Sequence, residues 1–99
     1  MLYMILCRDI KNSSELRKPY SAEHMLKLTE LRNQGRLLLA GPLPKADSMD
    51  TSIQGVTGSL IVGEFTDIEA AHAWIDNDPF QSNGIYQSVE ISPFKQVLP

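Results

Sequence analysis

The chain has 99 residues, of which 42% are hydrophobic and 21% charged, and its formal net charge is −3 at pH 7. That balance fits one ordinary globular domain and argues against a disordered chain. The acidic charge, with no Lys/Arg cluster, argues against a phosphate backbone as ligand, so nucleic acid is not an expected partner.

The opening run Leu2 to Cys7 is apolar on both alternating faces and reads as a strand. It is too short to span a bilayer and no basic stretch precedes it, so neither membrane nor secretion is expected, and cytoplasmic location is the default. Cys7 is the only cysteine, which leaves no intrachain disulfide and suits a small core residue. Arg8 to Lys18 is polar, with a short helical stretch around Ser14–Arg17, and Pro19 can open the next helix.

The main helix is predicted from about Tyr20 to Gln34, with Ser21 as cap and Gly35 as left-handed terminator. His24, Leu28 and Leu31 share one face through their i, i+4, i+7 spacing, while Lys27, Glu30, Asn33 and Gln34 take the water side. A second strand, Arg36–Ala40, is stopped by Gly41-Pro42. Leu43 to Thr57 reads as a long connection, and Gly58 introduces a third strand, Ser59–Phe65. Thr66 with Glu69 fits a capping box for a second helix, which carries Ile68, Ala71 and Ile75 on one face and ends at Asn77-Asp78-Pro79. Phe80 to Gly84 forms a turn segment before a fourth strand, Ile85–Ile91.

Strand–helix–strand–strand–helix–strand in this length predicts an α+β, ferredoxin-like βαββαβ fold, an antiparallel sheet with two helices on one face. Both faces of the strands are apolar. Once the helices cover one, a second copy of the chain is the economical cover for the other, which predicts a homodimer.

That topology gathers Arg8, Tyr20, His24, the segment 41–47, Gly58, Ser59 and Asp78-Pro79-Phe80 at one end of the domain. His24 interrupts an apolar helical face near the helix start, and histidine is the side chain suited to proton transfer near neutral pH. Asp78 is the first candidate to orient its ring and Asp47 the second. The plainer alternatives are a space-filling histidine bonded to a backbone carbonyl and a helix-end aspartate before proline. Arg8 could bind an anionic substrate group, Ser59 could donate a hydrogen bond to a ligand, and Gly41, Pro42 and Phe80 would wall the pocket. His72 falls mid-helix, away from this end, and is expected to be solvated. Two distant histidines and one cysteine make no metal site, and no P-loop or dinucleotide fingerprint is present, so no cofactor is expected.

The ordered set Glu23-His24 with Leu28 and Leu31, Gly35-Arg36-Leu37-Leu38, Ala40-Gly41-Pro42, Gly55-x-x-Gly58-Ser59, Glu69-Ala70-Ala71 with Trp74, Asp78-Pro79-Phe80, Gly84-Ile85-Tyr86 and Pro93-Phe94-Lys95 resembles the YciI-like (YCII-domain) family over essentially the whole chain. The resemblance implies a dimer of the dimeric α+β barrel type and a His/Asp-centred site, carried here by His24 and Asp78. It further implies activity on small cyclic or aromatic compounds, dehydrochlorination among them. The leading expectation is a cofactor-free lyase, isomerase or hydrolase. The alternative is a non-catalytic metabolite-binding or interaction module built on the same pocket.

Overall fold

The computed structural model describes Met1–Pro99 in full. Strands β1 (Leu2–Asp9), β2 (Leu37–Pro44), β3 (Val56–Glu64) and β4 (Tyr86–Phe94) form one antiparallel sheet in the order β2-β3-β1-β4. Between them lie α1 (Ser14–Arg17), a 3-10 turn (Lys18–Tyr20), α2 (Ser21–Asn33), α3 (Thr51–Gln54), α4 (Ile68–Asp76) and α5 (Pro79–Ser82). This is the expected α+β, ferredoxin-like βαββαβ arrangement, with two crossovers that place α2 and α4 on the same side of the sheet. No helix is long and apolar enough to cross a membrane.

Register decides which residues meet the helices. Tyr3, Ile5 and Cys7 of β1 stand opposite Gly63, Ile61 and Ser59 of β3, and this parity is the buried one. It joins Leu28 and Leu31 of α2, and Ala71 and Ile75 of α4, in one core cluster. The other parity holds Leu2, Met4, Leu6 and Arg8 of β1 with Leu60 and Val62 of β3 and Leu39 of β2, and it stands apart from the core cluster on the helix side. Gly58, opposite Arg8, lies against β1 so closely that a Cβ there would collide with the Cys7 carbonyl oxygen. Only glycine lets the two backbones approach this far.

Several boundaries differ from the sequence reading. β2 runs through Gly41-Pro42 to Pro44, because it is an edge strand and a missing proline N–H there faces no partner. The expected long connection shrinks accordingly: Pro44 already pairs with Val56, and α3 occupies part of the interval. Ser21 caps nothing. The 3-10 turn feeds straight into α2 with helical backbone angles, so Tyr20 holds the cap position and the Ser21 hydroxyl donates to the Arg17 carbonyl at 2.9 Å. At α4 the cap is Asp67, accepting from Ala70 N–H at 2.8 Å, one residue after the expected Thr66. Both residue types cap well, so composition did not choose between them. Lys27 leaves the water side to place its ammonium over the Trp74 ring, 3.9 Å from the centroid.

Candidate active site

Two ends of the chain converge on one carboxylate. Asp78 follows α4 and caps α5, its Oδ1 accepting from Phe80 N–H at 2.9 Å, while Pro79 takes the first helical position, where no N–H is needed. Its Oδ2 lies 2.7 Å from His24 Nδ1, one turn into α2. Asp78 is 0% exposed and His24 8%. A carboxylate only accepts, so against Asp78 Oδ2 a neutral ring carries its hydrogen on Nδ1 and its lone pair on Nε2. Nε2 has no partner in the protein and is not sealed from solvent. The His24 ring stacks on Phe80 with centroids 4.3 Å apart, which fixes its plane.

Beside this pair runs a cavity of about 390 Å³ between α2, the edge of β2 and α5. His24, Phe80, Ser59, Gly41 and Pro42 all line it, so five of the residues singled out from sequence come together there. Its remaining wall is largely apolar, from Met25, Leu28, Leu37, Ala40 and Ile61. The fully buried Asp78 stands directly behind the imidazole rather than in the wall.

Two expected residues are elsewhere. Arg8 is exposed and shares the parity of Leu2, Met4 and Leu6, on the sheet face away from the helices. Asp47 is exposed in the β2–β3 connection, where it lines a separate shallow depression with Pro44 and Met49. His72 is exposed on α4. No group of three or more His, Cys, Asp or Glu side chains is gathered to hold a metal ion.

A buried polar network, missed by the sequence reading, supports the cavity floor. Arg17, at the end of α1, donates from Nε and Nη2 to the two Asp9 oxygens at 2.7 and 3.0 Å. The Asp9 side chain is 0% exposed and also accepts from Ser13 Oγ at 2.6 Å. Arg17 Nη2 and Tyr86 O–H each donate to Ser59 Oγ at 3.0 Å. Both lone pairs of that hydroxyl are thereby used, which leaves its own hydrogen to donate. Burial pushes the neighbouring Cys7 thiol up to about 12, and the Asp78 and Asp9 carboxylates add to the shift. Burial raises the Tyr86 phenol as well, so neither ionises near neutral pH. One signal was available: Asp9 has the parity of Ile5 and Cys7, and Ser13 and Arg17 follow at intervals of four.

The YCII-related domain model matches residues 1–95. The protein YciI of Escherichia coli O6:H1 is 44% identical over 98 residues, covering 99% of this chain and 100% of that one. An uncharacterized protein of Haemophilus influenzae is 38% identical over the same coverage. Among solved structures, the 5-chloro-2-hydroxyhydroquinone dehydrochlorinase TftG of Burkholderia phenoliruptrix, in complex with 2,5-dihydroxybenzoquinone, superposes with a TM-score of 0.84 at 26% identity. The match covers 96% of this chain and 94% of TftG.

Proposed function

The chain belongs to the YCII-related domain family, and on that premise we propose that it is a cofactor-free small-molecule enzyme in which His24 moves a proton and Asp78 orients it. The observation that carries this reading is the buried 2.7 Å contact between His24 Nδ1 and Asp78 Oδ2, with Nε2 left open beside an apolar cavity. The likeness to a dehydrochlorinase supports a small cyclic or aromatic substrate.

Each step is proton chemistry. Nε2 takes a proton from a ring carbon or hydroxyl, and the bonding pair shifts into the ring system. In an elimination the pair expels a leaving group with its electrons; in an isomerisation the proton returns at another atom. In a hydrolysis Nε2 instead takes the proton from water, whose oxygen bonds to the substrate carbon as the leaving group departs with its bonding pair and accepts that proton from the imidazolium. The imidazolium that forms is held by the Asp78 carboxylate behind it. Negative charge developing on a substrate oxygen is met by the free Ser59 hydrogen and by the Arg17 guanidinium. Gly41, Pro42 and Phe80 shape the cavity. A homodimer, two copies joined through the sheet face of Leu2, Met4, Leu6, Leu39 and Leu60, acting in the cytoplasm, completes the reading.

The test is turnover across a panel of cyclic and aromatic compounds that includes 5-chloro-2-hydroxyhydroquinone. His24→Ala is expected to lower the rate on any compound turned over by about 10²–10⁴-fold, with an unchanged circular dichroism spectrum. Undiminished turnover in that variant would remove the proposed role. Saturable binding with no product from any compound would instead point to a binding module.

A further inference from the structure

The cavity wall has a charge that the proton-transfer site does not use. Ser21, Met25, Leu28, Thr29 and Arg32 continue the stripe of α2 that carries His24, and all line the cavity. Neither aspartate nor glutamate lines it. Of its two arginines, Arg17 is already forked to Asp9 beside His24, whereas Arg32 enters none of the chain's four ion pairs, Met1–Glu64, Arg17–Asp9, Lys18–Glu15 and His24–Asp78. No side-chain hydrogen bond within the protein engages it either. A guanidinium at the rim of an apolar, carboxylate-free cavity is a ready partner for a planar anion.

We infer that Arg32 selects substrates carrying a carboxylate on an apolar ring or chain, with the reacting atom at His24 and the anionic end two helical turns away. The inference rests on the proton-transfer reading only for which end of the ligand reacts. The two residues are about 12 Å apart along the helix axis at ~1.5 Å per residue. Both side chains lean towards the helix N-terminus, so the span between them stays set by the two turns that separate their backbones. Met25, Leu28 and Leu37 supply the apolar middle. A carboxylate fits better than a phosphate dianion, since its two coplanar oxygens match one guanidinium fork and its single charge is balanced by one cation, whereas a dianion would keep a second charge unpaired beside an apolar wall. The anion-binding role foreseen for Arg8 thus passes to an arginine on the correct side of the sheet.

The experiment measures dissociation constants of the wild-type protein for phenyl-capped alkanoates, from benzoate to 5-phenylpentanoate, each beside its neutral primary amide. The tightest carboxylate is expected to bind about tenfold better than its amide, the return of one charge-assisted pair at a partly exposed site. Arg32→Gln should erase that preference and Arg32→Lys should restore part of it. His24→Gln should leave it in place, which separates this inference from the proton-transfer reading: failure of catalysis does not touch the carboxylate preference. Equal affinities for acid and amide, failure of every carboxylate to bind, or a preference that survives Arg32→Gln would overturn the assignment.

Discussion

The Arg17 guanidinium lies over the ring of Phe80, its central carbon 4.6 Å from the centroid. His24 stacks on that same ring, so one aromatic side chain positions both the imidazole and the arginine beside it. Phe80 is 1% exposed, and its aromatic character matters in addition to its volume. Phe80→Leu keeps most of the apolar bulk and loses both face contacts. The expected cost is about 1–3 kcal/mol, from an imperfect core swap plus the lost ring interactions. Urea unfolding measures it, and a variant as stable as the parent would show that neither contact contributes.

Asp78→Asn tests the orientation of the imidazole more sharply than truncation does. An asparagine can still cap α5 through its carbonyl, but the group then facing His24 is an amide N–H₂. Nδ1 becomes the acceptor and the hydrogen moves to Nε2. Nitrogen chemical shifts of His24 should report that exchange of tautomers, with turnover falling by about 10²–10⁴-fold. Asp78→Ala adds a structural loss, leaving the Phe80 N–H without its acceptor at a cost of about 1–3 kcal/mol.

Arg17 and Asp9 are expected to be strongly coupled. Arg17→Gln strands a carboxylate whose side chain is 0% exposed and should destabilise the protein by about 3–5 kcal/mol. Pairing it with Asp9→Asn removes the stranded charge and should recover part of that loss. A double-mutant cycle by denaturant unfolding gives the coupling. Strict additivity of the two single changes would mean that the ion pair is not a unit.

The alkaline limb of stability follows from Cys7 and Tyr86. The folded state holds the Cys7 proton up to about 12, against an ordinary thiol value of 9.0 in the unfolded chain. Its contribution is therefore complete below pH 9 and is lost as pH climbs towards 12, because the unfolded chain releases a proton that the native one keeps. Tyr86 acts in the same direction from its ordinary value of 10.0 upwards. Lys27 opposes them: desolvation lowers it to about 8 from 10.5, so its burden on the folded state eases as pH rises through that interval. Comparing Cys7→Ala with the parent at each pH cancels the Lys27 effect. The fall in unfolding free energy above pH 9 should be shallower in the variant, and parallel curves would contradict the assignment.

The His24, Leu28, Leu31 face was legible because helical periodicity needs no tertiary information, and the βαββαβ order then placed residues 24 and 78 at the same end. What periodicity could not supply was the choice of sheet face. With apolar residues at both parities of β1, the pattern did not say which parity faces the helices, and the four-residue spacing of Asp9, Ser13 and Arg17 was the one hint. A single step of the pleat sends Arg8 to the open face and buries the Asp9 side chain. Arg17 was missed for a related reason. It lies in a polar stretch without a repeating apolar pattern, and its burial is created by β1, β3 and α5 packing around it. The candidate pair was thus visible and its supporting network was not, since that network exists only after the chain has folded.

The α5 cap and the contact with His24 share the Asp78 side chain, and the histidine precedes it by 54 residues. During synthesis the imidazole emerges early and waits. Residue 78 follows β2, β3 and α4 in the chain, so all three are synthesised before the carboxylate that meets the ring. A chain that stops before residue 78 carries the histidine without its anchor, so the pair joins two crossovers that are far apart in the sequence.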